Sequence, residues 1–304
     1  MTDEIQNNND NIINIIIGTT ALNRPMLHSD IFPDWINWIY KEDKTKYKIH
    51  WFVNIDMIEK LKSSFDDTVE NIKTIVNDRF SVYFLKCENN VGNFLKACQR
   101  LAKNIKSFVE DQKLNTQNTK IIWLEDDWKL NPSSIIDLND LINKYSTDHS
   151  HINLTFIRQN YIHALAPSIM SYKLWLNVHY NAWMQQIENT DPEHCVGVYF
   201  LNTYKTKYNN IFNITVINKY IEESYLHNSF INDVNSYYTY NNNERMINAK
   251  HISINEIKNK FKNEYVFIRI TPTVCIDGCD YGRKFMEKYD LFKNKSGDCD
   301  KFYI

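Results

Sequence analysis

The sequence has no excess of basic residues, because its 35 lysines and arginines are matched by 37 aspartates and glutamates. A protein built mainly to neutralise the phosphates of a nucleic acid carries a strong positive charge. The formal net charge of −2 therefore argues against nucleic acid as the partner. Any polyanion that the protein binds needs a local basic pocket rather than a whole basic face.

Long apolar runs are also lacking. The run IINIII near the N-terminus is much shorter than the roughly 20 apolar residues of a membrane-spanning helix. The first ten residues, MTDEIQNNND, are acidic and polar, which is the opposite of a secretory signal. We therefore expect a protein without a membrane span that lies in the cytoplasm.

The cysteines form no pair of CxxC knuckles. Cys275, Cys279 and Cys299 do not have the spacing of a zinc ribbon, and a fourth ligand is missing. We expect free, partly buried thiols in a reducing compartment. The six cysteines are Cys87, Cys98, Cys195, Cys275, Cys279 and Cys299.

Neither an internal repeat nor a linker rich in proline or glycine divides the chain. Its 43% of apolar and 24% of charged residues are typical of a globular protein. A chain of 304 residues can form one large α/β domain. We predict a polar tail over residues 1–10 and a single domain over residues 11–304.

Strands and helices alternate over the first part of the chain. Apolar strands are predicted in NIINIII, YKIHWFVNID, FSVYFLKC and KIIWLEDDWKL, with helical segments between them. A loop is predicted from Gly18 onward, and the segment MIEKLKSSFDDTVENIKTIVND is predicted to be helical. The clearest helix, ENNVGNFLKACQRLAKNIKSF, has apolar residues with helical spacing and Asn89 or Asn90 as N-cap. This alternation is typical of an α/β fold with a mixed, mostly parallel sheet flanked by helices, followed here by a less regular C-terminal half.

Three consecutive acids, Glu125, Asp126 and Asp127, follow the fourth predicted strand. Ligands of such sheets collect at the carboxyl ends of strands, and hard cations such as Mg²⁺ or Mn²⁺ prefer carboxylate ligands there. Strand alternation places Glu125 and Asp127 on one side and Asp126 on the other, toward a sugar or ribose hydroxyl. A solvated turn that pairs with Lys129 is the alternative, but the position after a buried strand favours ligand binding.

The stretch NNVGNFLKACQRLAK, followed by IIWLEDDWKLNP, resembles the central part of nucleotide-sugar-dependent glycosyltransferases of the GT-A fold. In that family an N-x-G helix precedes a strand that ends in a D-x-D-type metal motif. Asn90 and Gly92 match the first element, and Glu125-Asp126-Asp127 match the second. The family motif usually starts with Asp, so Asp127 is a better metal-ligand candidate than Glu125. The resemblance covers residues 11–135, and the Asn and Ile bias also resembles glycosyltransferases of giant DNA viruses.

The resemblance implies a nucleotide-sugar-binding half over residues 11–130 and an acceptor-binding half over residues 131–304. It implies that a carboxylate accepts from N3–H of uracil while threonine hydroxyls contact the base or ribose. Asp56 as the N-cap of a following helix and Arg24 as a surface residue are the alternatives. The residues at the nucleotide positions are Thr19, Thr20, Arg24 and Asp56.

The segment NTDPEHCVGVYF contains Asp191 and Glu193 and resembles the stretch that provides the catalytic base of inverting GT-A enzymes. Of the two acids we prefer Glu193. The alternative is a plain helix start, because Pro and acids are both favoured in the first turn of a helix.

The segment TPTVCIDGCDYGRKFM resembles a D-x-G-R segment of viral and bacterial glycosyltransferases, although an insertion separates its two parts. Arg283, together with amide groups of a following helix, is the candidate for holding a diphosphate. A helix cap with a loop is the alternative. His251 lies where some GT-A enzymes have a further metal ligand, and its alternative is an ordinary surface or core histidine.

We expect a glycosyltransferase that uses Mn²⁺ or Mg²⁺ and transfers a hexosyl or related group from a nucleoside-diphosphate sugar, a UDP-sugar, to a glycan or protein acceptor. Two alternatives stay open. One is a two-metal nuclease or phosphohydrolase, which needs more acids from neighbouring strand ends. The other is a non-catalytic carbohydrate-binding protein with the same fold.

Overall fold

The structure is a computed structural model, and it describes residues 12–40, 46–58, 61–87, 93–131, 134, 137–145, 150–153, 167–186, 191–204, 213–216 and 267–269. The strands are β1 (Ile13–Leu22), β2 (Tyr47–Asp56), β3 (Ser81–Lys86), β4 (Thr119–Glu125), β5 (Trp128–Leu130), β6 (Ser150–Asn153), β7 (Ser168–Ser171), β8 (Asn213–Val216) and β9 (Phe267–Arg269). The helices are α1 (Pro25–Tyr40), α2 (Phe65–Val76), α3 (Phe94–Asp111), α4 (Leu138–Tyr145), α5 (Tyr172–Trp175), α6 (Asn181–Met184) and α7 (Pro192–Tyr204). A π-helical turn, Leu176–Tyr180, joins α5 to α6.

Seven of these strands form one sheet in the order β3-β2-β1-β4-β7-β6-β8, and β5 pairs with β9. The first four strands run parallel, β7 runs antiparallel to β4 and β6, and β8 runs parallel to β6. The predicted α/β class with a mixed, mostly parallel sheet is confirmed. The chain moves from β1 to β2 and β3 on one side and then places β4 on the other side. Such a reversal of strand order opens a crevice at the carboxyl ends of the strands.

The first strand is longer than the sequence predicts. A loop was expected from Gly18, but β1 continues through Thr19 and Thr20 to Leu22 and pairs there with β2. Gly18 has a packing role instead, because a Cβ atom at this position would lie 2.9 Å from Cζ3 of the Trp123 ring. A glycine in a strand often marks such a close approach rather than a turn.

Both faces of the sheet are covered. One face packs against α1 and α2 through buried side chains such as Phe32, Trp35 and Ile72. The other packs against α3 and the helical segment 172–184, where the rings of Trp123 and Trp183 lie 4.9 Å apart. Burial of each large apolar side chain contributes roughly 1.5–3 kcal/mol. Trp123 is therefore a core residue, as its position on an apolar strand indicates.

The predicted helix after β2 begins later than expected. In the described residues between β2 and α2 the chain is not helical, and α2 begins at Phe65 with Ser64 as N-cap in a capping box with Asp67. The buried side chain of Asn23 explains the delay. Its Nδ2 donates to the carbonyl oxygens of Leu61 (2.8 Å) and Ser63 (2.7 Å), and these contacts hold the segment against the end of β1. The alternative interpretation of Asp56 as a helix N-cap at this point is therefore wrong.

The N-cap of α3 also differs from the prediction. Asn93 is the N-cap, and its side chain accepts from the Lys96 amide at 2.9 Å. Asn89 and Asn90, the predicted caps, lie outside the described residues. Several asparagines in this stretch suit a cap equally well by sequence, so the choice depends on contacts with the rest of the fold.

Cys87, Cys98 and Cys195 are buried and carry thiols rather than disulfides, as expected, whereas Cys275, Cys279 and Cys299 lie outside the described residues. None of the helices in the described ranges combines the length and the apolar character needed to cross a bilayer.

Candidate active site

The carboxyl ends of β1, β2 and β4 bring polar side chains to one edge of the sheet. Thr20 lies opposite Asn54 on β2 and opposite Glu125 on β4. Because strand side chains alternate between faces, Asp56 follows Asn54 on the same face of the sheet. This is the face that α3 covers, since Arg100 of α3 contacts both Asn54 and Asp56.

Asp56 lies at the centre of a hydrogen-bond network and is only 4% exposed. Its Oδ1 accepts from Asn54 Nδ2 at 2.9 Å and from Arg100 Nη2 at 2.5 Å. Its Oδ2 accepts from the backbone N–H of Asn93 at 3.1 Å. Arg100 Nε in turn donates to Asn54 Oδ1 at 2.8 Å. The network ties the end of β2 to the first two turns of α3.

Arg100 was not singled out by sequence reasoning. The sequence does indicate that Arg100 lies on the same side of α3 as Asn93, because residues that are seven apart share a side of a helix. It does not indicate that Asp56 packs against this side, and that position identifies the partner of the arginine.

The acidic triplet does not continue the strand. β4 ends at Glu125, and Asp126 and Asp127 form the turn that leads into β5. Glu125 is half-buried, and its Oε2 accepts from Trp128 Nε1 at 3.2 Å. Asp127 is only 7% exposed, so its carboxylate does not lie in bulk water. The triplet is therefore not a simple solvated turn.

The middle acid, Asp126, is bound within the protein. Its Oδ1 accepts from Arg24 Nη2 at 2.5 Å, and its Oδ2 accepts from Arg24 Nε at 2.9 Å. The same Oδ2 contacts His28 Nε2 at 2.9 Å and accepts from the Leu22 amide at 3.0 Å. Arg24 and Asp126, both predicted to contact the nucleotide, thus bind each other, and their contacts with a nucleotide stay predictions.

Electrostatics explain this arrangement. Burial alone would raise the pKa of Asp126, but the charge of Arg24 and the hydrogen bonds from His28 and Arg24 hold it well below its usual range. Burial lowers the pKa of His28 and outweighs its contact with Asp126. His28 is therefore neutral at pH 7 and donates its Nε2–H to Asp126. Its ring also stacks on Phe32, with the centroids 4.5 Å apart.

The two threonines of β1 lie on opposite faces of the sheet. Thr19 is buried on the face of α1, and its hydroxyl oxygen accepts from Trp51 Nε1 at 2.8 Å. Thr20 lies on the face of α3, and its carbonyl oxygen accepts from the Asp126 amide at 3.1 Å. Of the two hydroxyls, that of Thr20 shares a face with Asp56. The predicted nucleotide contact of either threonine stays untested.

Asp191 and Glu193 stand at the start of α7. Asp191 is exposed, and its Oδ1 accepts from the Glu193 amide at 2.8 Å while its carbonyl oxygen accepts from the Cys195 amide at 3.0 Å. The alternative interpretation as a helix start therefore describes the local contacts of Asp191. Glu193 is half-buried. A role of either acid as the catalytic base remains a prediction.

The acids of α7 and of the strand ends influence the same thiol. Burial raises the pKa of the Cys98 thiol on α3, and Glu125, Asp56, Glu193 and Asp191 raise it further, in that order. Hydrogen bonds also connect α3 to the segment that precedes α7. Gln99 Nε2 donates to the carbonyl oxygen of Trp183 at 2.7 Å, and Trp183 Nε1 donates to that of Pro192, next to Asp191, at 3.2 Å.

The metal-ligand predictions for Glu125 and Asp127 stay untested. Among them, no cluster of three or more histidine, cysteine, aspartate or glutamate side chains is placed to hold an ion. Mg²⁺ and Mn²⁺ use oxygen ligands, and Mg²⁺ commonly takes one or two protein carboxylates while phosphates and waters complete the shell. Glu125 and Asp127, on either side of the internally bound Asp126, fit this requirement.

Several predicted site residues lie outside the described part of the chain. They are the third metal-ligand candidate His251, the diphosphate candidate Arg283, and Asn90 and Gly92 of the N-x-G segment.

No protein-family model matches the sequence, and comparison with curated proteins finds no match. The solved structures that are similar to the chain include TarS of S. aureus in complex with UDP-GlcNAc, at 14% identity and a TM-score of 0.42 over 67% of this chain and 56% of that chain. A mannosyltransferase from Pyrobaculum calidifontis, PcManGT, in complex with GDP-Man and Mn²⁺, is similar at 7% identity and a TM-score of 0.40, over 67% of this chain and 54% of that one.

A glycosyltransferase involved in glycosylation of the major capsid of PBCV-1 is 12% identical, with a TM-score of 0.37 over 91% of this chain and 99% of that chain. Against TarS and PcManGT, the chain spans little more than half of the other protein's length. The resemblance stated from the sequence is confirmed in these terms: the chain is similar in structure to glycosyltransferases.

Proposed function

We propose that the protein is a metal-dependent glycosyltransferase that moves a sugar from a nucleoside-diphosphate sugar, a UDP-sugar, to a glycan or protein acceptor. The observation that carries the proposal is the meeting of Thr20, Asp56 and the acids Glu125 and Asp127 at one sheet edge. This edge lies where the strand order reverses, which is the position at which α/β sheets bind nucleotides.

The nucleoside binds at the ends of β1 and β2. Asp56 accepts the N3–H of uracil, and the hydroxyl of Thr20 contacts the base or the ribose. Arg24 and Asp126 act mainly by fixing the acidic turn to the start of α1, since they bind each other. Arg283 remains the candidate for a direct contact with the diphosphate.

Asp127 and Glu125 would hold Mn²⁺ or Mg²⁺, with His251 as a further candidate ligand. A bound ion would supply positive charge for the departing diphosphate.

The acceptor hydroxyl is deprotonated by Glu193. A bond forms between the acceptor oxygen and the anomeric carbon of the sugar as the bond from that carbon to the diphosphate oxygen breaks. The hydroxyl proton passes to the carboxylate, and the electron pair of the broken bond leaves with the diphosphate. A carboxylate base of this kind belongs to an inverting reaction. Glu193 is preferred to Asp191 because Asp191 caps α7.

The proposal is tested by Asp127→Ala in the full chain. We expect loss of Mn²⁺-dependent release of nucleoside diphosphate from a panel of UDP-sugars, because the metal loses its principal ligand. Asp111→Ala, which changes an exposed carboxylate at the end of α3, serves as the matched control and should keep full activity. Unchanged activity of Asp127→Ala contradicts the proposal.

The alternative of a two-metal nuclease gains no support from the strand ends. Such a site needs several carboxylates around two cations, but Asp56 and Asp126 are bound to Arg100 and Arg24. Incubation of plasmid DNA with the protein and Mg²⁺ separates the two activities, and we expect no cleavage.

A further inference from the structure

The hydrogen-bond capacity of Asp56 is unevenly used. Each oxygen of a carboxylate can accept about two hydrogen bonds. Oδ1 accepts two, from Asn54 and Arg100, whereas Oδ2 accepts one, from the Asn93 amide. Within the described part of the chain, one acceptor position therefore remains on this buried carboxylate, and it lies on Oδ2.

Donors stand next to this acceptor. The guanidinium of Arg100 has five N–H donors in a fixed plane, and two of its nitrogens bind Asp56 and Asn54. The side chain of Arg100 is 25% exposed, whereas that of Asp56 is 6% exposed. A ligand that reaches the carboxylate therefore meets a single acceptor flanked by donors.

Nucleobases differ in what they present to such a site. Uracil offers one N–H between two carbonyl oxygens, which requires one acceptor with donors beside it. Guanine offers two adjacent N–H groups, at N1 and N2, which require two acceptors side by side. A carboxylate with both oxygens open would suit guanine. Asp56 does not offer this arrangement, because Arg100 and Asn54 occupy Oδ1.

We propose that Arg100 is a specificity-determining residue that makes the nucleotide site select uracil over guanine by occupying Oδ1 of Asp56. This inference rests on the proposed function, because it assumes that a nucleotide binds at Asp56. A guanine at this position would leave its exocyclic amino group without an acceptor and facing the donors of Arg100. An unsatisfied buried polar group of this kind lowers affinity by about tenfold or more.

The wild-type protein provides the first test. Calorimetric titration of the full chain with UDP, GDP and 3-methyl-UDP in the presence of Mn²⁺ should give UDP the highest affinity, about tenfold or more above each of the others. The methyl group removes the N3–H that Asp56 accepts. GDP binding as tightly as UDP overturns this inference and leaves the glycosyltransferase proposal intact. If neither diphosphate binds, the proposed function fails and the inference fails with it.

The second test is Arg100→Met, which keeps the apolar part of the side chain and removes its donors. Oδ1 of Asp56 then gains an open acceptor position, so the ratio of UDP to GDP affinity should fall about tenfold, with GDP affinity kept or raised. An equal loss for both nucleotides would indicate a merely structural role and overturn the inference. Arg79→Met is the matched control, because Arg79 is exposed on the turn between α2 and β3 and should leave the ratio unchanged.

Arg100→Lys covers the case in which Arg100→Met does not fold. Lysine keeps the positive charge and one donor group for Oδ1 but loses the second contact, with Asn54, so part of the preference for UDP should remain. Loss of the preference in this variant, with the fold intact, contradicts the occupation of Oδ1 as the cause. The wild-type ratio and the lysine variant therefore decide the question without the methionine variant.

Discussion

At the scale of single residues, the acids of the triplet differ in role. Asp126 is bound by Arg24, whereas Glu125 and Asp127 are the metal-ligand candidates. Apolar strands seldom end in several acids without positive charge nearby. Arg24, which binds Asp126, provides part of that charge. Sequence reasoning selected both residues but assigned both to the nucleotide. It could not pair them, because 102 residues separate them and a salt bridge leaves no periodic pattern in a sequence. Burial of Asp127 beside them was not predictable for the same reason.

The ion pair between Arg24 and Asp126 should be important for stability. Arg24→Met leaves Asp126 buried, with His28 and the Leu22 amide as its remaining partners in the described part of the chain. Removal of one member of a buried pair typically costs about 3–5 kcal/mol, because the remaining charge stays desolvated. Urea unfolding at pH 7 should show a loss of this size. Arg79→Met, at an exposed arginine that contacts Asn37 and the Tyr40 ring at the surface, should cost no more than about 1 kcal/mol. A similarly small effect of Arg24→Met would show that Asp126 is not dependent on its cation.

At the scale of elements, helix α3 shows what periodicity can and cannot predict. The spacing of Leu101, Ala102 and Ile105 predicts the helix and its buried face, and both are observed. The start was predicted at Asn89 or Asn90, whereas the cap is Asn93. Asp56 accepts from the Asn93 amide and binds Arg100, and these tertiary contacts hold the first two turns. Because several asparagines compete for one cap, only the position of β2 decides between them.

The packing of the Trp123 ring of β4 against β1 uses the space that Gly18 leaves open. Gly18→Ala places a Cβ atom 2.9 Å from Cζ3 and 3.0 Å from Cε3 of Trp123, so the indole ring must move within a packed core. Overpacking of this kind typically costs about 1–3 kcal/mol, and urea unfolding should show a loss in that range.

A double-mutant cycle assigns this cost to the ring. In a Trp123→Phe background the smaller ring leaves room for the methyl group, so the additional loss from Gly18→Ala should shrink. Equal losses in both backgrounds would instead place the cost in the strand backbone.

At the scale of the whole molecule, strand–helix alternation was sufficient to predict the sheet, its mostly parallel pairing and the edge at which polar residues meet. It was not sufficient to assign side chains to faces. Thr19 and Asp126 make their contacts on the α1 side, whereas Thr20 and Asp56 lie on the α3 side. Strand alternation places Thr19 and Thr20 on opposite faces once both are known to lie in β1. The sequence predicted a loop from Gly18 onward, so it gave no faces for these two residues. Each side supplies its own arginine, so the acids at this edge are neutralised from both layers of helices.

Acidification should destabilise the fold through buried histidines before it affects Asp126. Burial lowers the pKa of His28, and burial with the charge of Lys48 lowers that of His50 to about 4. Because the unfolded chain takes up these protons first, near a pKa of about 6.5, the stability from the neutral rings is present above that pH and is lost as pH falls through the folded values. The lowered pKa of Asp126 also makes the free energy of unfolding fall with pH, but only at lower pH.

His50→Phe measures the contribution of one ring. His50 packs against Phe108, with the centroids 4.7 Å apart, so a phenyl ring suits the site and does not titrate. We expect the decline in the free energy of unfolding between pH 6.5 and 4 to be shallower in this variant than in the wild type. Tyr83→Phe is the control, because it removes the hydroxyl 3.4 Å from His50 Nδ1 and leaves the imidazole in place. The free energy of unfolding of Tyr83→Phe should fall with pH as steeply as that of the wild type. An equally steep fall in His50→Phe would show that the neutral ring of His50 does not contribute to the pH dependence.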